Sequence, residues 1–274
     1  MILRTYTDNL AGFIEQAKPY WASQPVISNL QWALAERYAA GKGCQLAFIA
    51  FADDEPIVFG LQTEPDRPLV LTGRMPLGPV GVDAIQALKL QFPAVVGEGR
   101  LSIDFATHFG LPQKRRVDMH LYRLDTLEEY PKYGTLRTTR KSDVDLLAVW
   151  IADFEDAIKA VKSQANYHQQ ALELIDRGTA YLYEVNGQPV AMAGSSRSAA
   201  GVACISLVYT PPELRGRGYA SAAVGTLCEK LMETHQHCCL YADQANPASN
   251  KVYQRLGFFV VSDSIEIQFR KDEV

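Results

Sequence analysis

The run Leu207–Ala220, LVYTPPELRGRGYA, constrains this chain more than any other segment. An apolar stretch rich in β-branched and aromatic residues reads as a strand. It runs into Pro211 and Pro212, which cannot extend a ladder. Gly216 and Gly218 follow, spaced by Arg217, and then a small-residue helix predicted from Tyr219 to about Met232. Glycines at such a junction let backbone N–H groups approach a ligand closely. The helix start adds unpaired donors and the positive end of the dipole. The junction therefore reads as an anion site, with a phosphate or pyrophosphate as the usual occupant. Arg215 and Arg217 add positive charge at its rim. A dinucleotide turn needs G-x-G-x-x-G directly between strand and helix. Gly216 to Ser221 fits that only loosely, and the Pro-Pro-Glu-Leu spacer argues against it. No G-x-x-x-x-G-K-[ST] run is present.

A second segment lies downstream: Asn246-Pro-Ala-Ser-Asn250-Lys-Val-Tyr253-Gln-Arg-Leu-Gly257-Phe258. Asn246 is placed to cap a helix, Pro247 suits its first turn, and Gly257 suits its C-terminal cap. Asn246, Asn250 and Tyr253 fall at i, i+4 and i+7 and share a face. Ala248, Val252 and Leu256 form another stripe, suited to core packing. Together the two segments resemble the signatures of the GNAT N-acetyltransferase superfamily. The acetyl-CoA pattern R-x-x-G-x-A is matched by Arg215, Gly218 and Ala220, and the final helix by the Asn246–Phe258 run.

The resemblance implies acetyl-CoA as co-substrate, with no metal. It implies coenzyme A contacts from Val208, Tyr209, Thr210, Arg215, Gly216, Arg217, Gly218, Tyr219, Ala220, Ser221, Asn246 and Asn250. Val208 and Thr210 would meet the pantetheine arm along the third core strand. A backbone N–H near Val208 would face the thioester oxygen. Tyr253 is the candidate general acid. A phenol, with a reference pKa near 10, stays protonated at neutral pH and can donate to a departing thiolate. Glu184 and Asp243, at strand ends, are candidate bases acting directly or through a water that Ser206 could order. An amine bound in its neutral form would need no base.

Composition narrows the classes. The chain has 274 residues, of which 47% are hydrophobic, so two cores are affordable. A formal charge of −4 gives no support for nucleic-acid binding. No apolar run reaches a membrane span of roughly 18 residues, and the first residues lack a signal-peptide layout. Five cysteines without a regular framework suggest reduced thiols and a cytoplasmic location. The cluster His235-Gln-His237-Cys238-Cys239 invites a metal reading. Adjacent strand residues point to opposite faces, however, so buried cysteines and a helix-end histidine are favoured.

From about residue 133 the pattern reads β-α-α-β-β-β-α-β-α-β-β. The first strand is expected over Gly134–Arg140. A helix runs from Ser142 to about Lys159 and a second over Tyr167–Asp176. Asn186-Gly187 marks a hairpin turn, and a closing hairpin passes through Ser262-Asp263-Ser264. The N-terminal half echoes this order without residue-level repetition. Its Gly73–Gly81 run lacks the R-x-x-G-x-A spacing, and Pro76 and Pro79 remove two donors, so no coenzyme A is expected there. The expected architecture is an α/β (α+β) chain of two domains. Residues 1–124 form a degenerate GNAT-like domain, 125–132 a linker, and 133–274 a GNAT acyl-CoA N-acyltransferase fold with a mixed central sheet.

The expected activity is acetyl-CoA-dependent acetyl transfer to an amine on a small molecule or peptide. A non-catalytic acyl-CoA-binding regulator is the alternative from another class. An NAD-binding oxidoreductase is disfavoured by the prolines and by the lack of a suitable acidic residue after the next strand.

Overall fold

The computed structural model describes residues 1–158 and 166–270. It divides into two compact units. One comprises 1–121 together with the segment from Val260 onward, the other Tyr122–Phe259.

In the first unit β1 (Ile2–Thr5) leads into α1 (Leu10–Ser23) and α2 (Pro25–Ala39). Asn9 caps α1, its side chain accepting from the Gly12 amide at 3.0 Å, and Pro25 opens α2. Three antiparallel strands follow: β2 (Leu46–Ala52), β3 (Glu55–Gln62) and β4 (Leu69–Gly73). Then come α3 (Gly78–Gln86), β5 (Ala94–Glu98) parallel to β4, α4 (Gly99–Phe109) and β6 (Gln113–Leu124). Runs such as LAFIAFA in β2 are buried on both faces and show no alternation, as a strand covered on both sides requires. Gln31 on α2 is fully buried and fully bonded. Its Oε1 accepts from Trp21 Nε1 (3.1 Å) and the Thr72 hydroxyl (2.7 Å). Its Nε2 donates to the Phe59 and Val70 carbonyls, both at 2.8 Å.

The second unit repeats this order. It runs β7 (Thr135–Thr138), α5 (Val144–Ala157), α6 (Tyr167–Asp176), β8 (Ala180–Val185), β9 (Gln188–Ala199), β10 (Val202–Tyr209), α7 (Tyr219–Met232), β11 (His237–Asp243) and α8 (Pro247–Arg255). The expected helix end at Lys159 lies outside the described residues; the described part of α5 stops at Ala157. Strand order is β11-β10-β9-β8-β7, with β10 and β11 parallel and the other pairs antiparallel. Asn186 and Gly187 take φ of +51° and +75°, the primed turn read from the sequence. One face packs on α7 through Ala203, Ile205, Cys238 and Leu240. The other packs on α5 and α6 through Leu182, Met192 and Tyr209.

Three sequence expectations change. There is no hairpin at 262–264: β12 runs unbroken from Phe259 to Phe269. None of these residues has the positive φ of a tight primed turn, and the flanking Val260, Val261, Ile265 and Ile267 favour one long strand. Residues 260–270 also leave the C-terminal domain in which the sequence placed them. Ser264 to Gln268 pair with β5, and Ile265, Ile267 and Phe269 enter the first unit's core. Conversely, Tyr122–Leu124 at the end of β6 belong to the second unit, in strand order beside β11. Residues 125–132 are not a free tether. The Glu128 amide donates to Leu256 O (3.1 Å), Lys132 pairs with Glu229 (2.8 Å), and the Tyr130 ring lies against Gly225 of α7.

Candidate active site

The site begins with a strand pair that stops early. β10 and β11 are paired only over Val202–Cys204 and His237–Cys239, although both continue for several residues. A bulge accounts for the departure. Between Ser206 and Tyr209 β10 advances three residues while β9 advances two, from Gly194 to Met192. Leu207 sits at the bulge with φ of +52°, a left-handed conformation that costs a leucine about 1–2 kcal/mol. Its side chain passes over Gly194, where a Cβ would lie 3.4 Å from Leu207 Cδ1. The result is a parallel pair that diverges, leaving the β11-side edge of residues 205–209 outside the ladder. Sequence reading missed Leu207, because no residue pattern marks a leucine that must adopt positive φ.

Past the strand, Pro212–Leu214 make one 3₁₀ turn, Gly216 takes φ of +76°, and Gly218 takes φ of +83° as the N-cap of α7. A glycine cap has no side chain to offer, so α7 starts with its donors uncapped. Among the described residues, the amides of 216–221 have no hydrogen-bond partner. Six consecutive free N–H groups at the positive end of a 14-residue helix fit a diphosphate. The rim arginines are held by the loop itself. Arg215 Nε donates to Thr210 O (3.0 Å), with its guanidinium 5.9 Å from the centre of the Tyr209 ring. Arg217 Nη2 donates to Glu213 O (3.3 Å). Tyr209 is buried and donates to Asp153 (3.0 Å); burial first, then the Asp153 bond, pushes its pKa to about 12. The Thr210 hydroxyl is enclosed without a partner, at the mouth of the turn.

The last helix is only partly what the sequence suggested. Asn246 is a working N-cap, accepting from the Ser249 amide at 3.1 Å. Asn250 is spent on structure: Nδ2 donates to Asp243 O (3.0 Å) and Asn246 O (2.9 Å), and Oδ1 accepts from the Tyr122 hydroxyl (3.1 Å). It ties α8 to the end of β11. The inner stripe is Val252, Tyr253 and Leu256, whereas Ala248 is exposed. Tyr253 is 7% exposed, its ring between Tyr122 and Phe258 at centroid distances of 6.1 and 6.0 Å. Its hydroxyl has no hydrogen-bond partner among the described residues, yet it is not one of the fully enclosed unpaired atoms. Burial, reinforced by Tyr122 and Cys228, raises its pKa, so the phenol holds its proton at neutral pH.

The candidate bases are placed differently. Glu184 accepts from Arg137 Nε at 2.7 Å, and that guanidinium also bonds both oxygens of Asp143, at 2.7 and 2.9 Å. Glu184 lies on β8, one strand removed from β10, and is engaged in this ion-pair cluster. Asp243 accepts from the Ala245 amide at 2.7 Å at the approach to α8. Ser206 is half-exposed just before the bulge. The His–Cys cluster resolves into packing. Cys238 and Cys239 are buried, His235 Nδ1 lies 2.9 Å from Leu231 O, and His237 Nδ1 lies 2.7 Å from Asp125. All five cysteines are free thiols.

The matching place in the first unit is filled by its own side chains. The Gly78 amide at the start of α3 donates to Asp104 Oδ2 at 2.9 Å, so a carboxylate already occupies that helix terminus. At the end of β4, Gly73 O accepts from the Tyr20 hydroxyl (2.9 Å) and Arg100 Nη2 (3.0 Å).

Residues 145–258 match the family model described as the acetyltransferase (GNAT) family. Three solved structures share the fold over most of the chain. A GNAT-family acetyltransferase from Colwellia psychrerythraea aligns with TM-score 0.61 at 12% identity, over 98% of this chain and 100% of its own. A GCN5-related N-acetyltransferase from Kribbella flavida aligns with TM-score 0.57 at 17% identity, over 92% and 97%. One from Sphaerobacter thermophilus gives 0.54 at 17%, over 91% and 92%. No curated protein matches the sequence. The family match thus falls on residues 145–258, within the second unit, while the fold is shared over most of the chain. No helix among the described residues is long and apolar enough to cross a membrane.

Proposed function

We propose that the protein is an acetyl-CoA-dependent N-acetyltransferase acting by direct transfer, with one coenzyme A site in the second unit. The observation that carries this reading is the conjunction of two features: the uncapped amides of 216–221, and the unpaired edge of β10 immediately before them. The first suits a diphosphate. The second suits an extended, amide-bearing pantetheine arm that adds to the strand edge. Arg215 and Arg217 supply charge at the mouth.

In the reaction the β10 edge positions the thioester. A backbone N–H near Val208 stabilises the oxyanion as the amine nitrogen attacks the carbonyl carbon. The C–S bond then breaks, and Tyr253 gives its proton to the departing thiolate. Its raised pKa keeps that proton in place beforehand. The acceptor amine reaches the site neutral, or its proton passes to the Asp243 carboxylate directly or through a water that Ser206 orders. The acceptor is an amine on a small molecule or a peptide.

Thiol release from acetyl-CoA, followed across a diverse amine panel, tests the proposal. Amine-dependent release at one coenzyme A per turnover is expected. Tight coenzyme A binding with no release for any amine would instead mark a binding-only regulator.

A further inference from the structure

The segment before β7 lies along α7 and is fixed at several points. The Tyr130 ring fills the notch at Gly225, where a Cβ would come within 2.5 Å of ring atoms. Lys132 pairs with Glu229 at 2.8 Å, and the Gly134 amide donates to the Tyr183 hydroxyl at 2.8 Å. Tyr133 sits between these anchors. Its ring stands edge-on to Tyr219, with centroids 6.1 Å apart and planes at 86°, and the residue remains 54% exposed. It borders the N-cap of α7: a Cβ on Gly218 would lie 3.2 Å from Tyr133 Cε2. A single exposed aromatic needs no explanation by itself. This one is held between two anchored residues at the lip of the anion cradle, with its ring open to solvent.

Beyond its diphosphate, on the side away from the thioester, coenzyme A carries adenosine. Purines stack on tyrosine without needing a hydrogen-bond match, because the interaction is between π-faces. We infer that Tyr133 is the wall against which the adenine ring stacks. It is then a specificity residue that favours the whole coenzyme over its phosphopantetheine half. The inference rests on the acetyl-CoA reading above.

Calorimetric titration of the full chain and its Tyr133→Ala and Tyr133→Trp variants with coenzyme A and with 4′-phosphopantetheine tests it. Tyr133→Ala is expected to weaken coenzyme A about tenfold while changing 4′-phosphopantetheine by less than about twofold. Tyr133→Trp, which keeps a stacking face, is expected to bind coenzyme A at least as tightly as wild type. Unchanged coenzyme A affinity in Tyr133→Ala overturns the inference and leaves the acetyl-CoA reading standing. So does an equal loss for both ligands, which would mean a general disturbance of the cradle. A wild-type chain that binds neither ligand overturns both.

Discussion

Tyr253 and Asp143 show how burial changes what a titratable side chain can do. Tyr253 has a buried ring and a hydroxyl with no hydrogen-bond partner among the described residues, so replacing it by Phe removes one oxygen and little packing. The Tyr253→Phe chain is expected to fold normally and bind coenzyme A within a few-fold of wild type. Its turnover number is expected to drop about 10²-fold or more. The loss should shrink for acyl donors with more acidic thiols, and steady-state kinetics on such a series would check this. Near-wild-type turnover with chemistry rate-limiting would make the hydroxyl structural. Asp143 is the opposite case, a carboxylate whose pKa is lowered chiefly by its bonds to Arg137. Its contribution to stability is complete above the ordinary carboxylate pKa and is lost as pH falls through the depressed folded value. Asp143→Asn should cost about 1–2 kcal/mol at neutral pH, and the gap from wild type should close below about pH 4, as denaturant titrations across pH would reveal. Tyr253 is singled out in the sequence by its place after Asn246 and Asn250 together with the family resemblance, and its role stays a proposal. The Asp143–Arg137–Glu184 cluster was not, because its members come from three elements that only the fold brings together.

Helix α7 is where sequence and structure agree best, and where one reading had to be extended. Its bounds, Tyr219 to Met232, follow from the glycines before it and its run of small residues. The sequence accounts for Gly218 as a place of close approach and positive φ. The structure adds a neighbour, since Tyr133 lies where a side chain would go. Gly218→Val therefore strains the backbone, crowds Tyr133 and puts a branched side chain into the anion's path. Calorimetry should show coenzyme A binding weakened at least tenfold, about 1.4 kcal/mol. Gly225 had no role in the sequence reading. A glycine in mid-helix costs about 1 kcal/mol relative to alanine, so Gly225→Ala looks stabilising on propensity alone. Its new methyl would meet the Tyr130 ring, and the expected outcome is a net loss of about 1 kcal/mol or more. Removing the ring as well, in Gly225→Ala/Tyr130→Ala, should recover the propensity gain, so a four-variant thermal melt isolates the coupling. A stabilised Gly225→Ala single variant would show that the segment moves aside at little cost. The Glu128-Glu-Tyr-Pro131 run reads as a linker, and nothing in it marks Tyr130 as the residue that packs on Gly225.

Across the whole molecule, most of the repeated order β-α-α-β-β-β-α-β-α-β was legible because most elements are periodic and punctuated by glycine, proline or asparagine; the four-residue β1 is too short to show a period, and the closing strand read as a hairpin. Two copies of one order do not make two equal sites. The first unit has Asp104 on its helix terminus and Tyr20 and Arg100 on the Gly73 carbonyl, so its own side chains hold the positions that are open in the second. One coenzyme A per chain is therefore expected. A calorimetric stoichiometry of two, or coenzyme A protection of amides near Gly73–Gly81 in hydrogen exchange, would contradict it. What the sequence could not disclose was the allocation of the last strand, because β pairing is non-local and β12 carries no mark of its partner. That allocation has a consequence during synthesis. Residues 122–259 complete the second unit before β12 has been made, whereas β5 of the first unit waits for a partner encoded beyond all of them. Until β12 arrives, β5 presents an unfinished sheet edge on the earlier half of the nascent chain. That exposed edge is the interval in which chaperone capture or aggregation competes with folding.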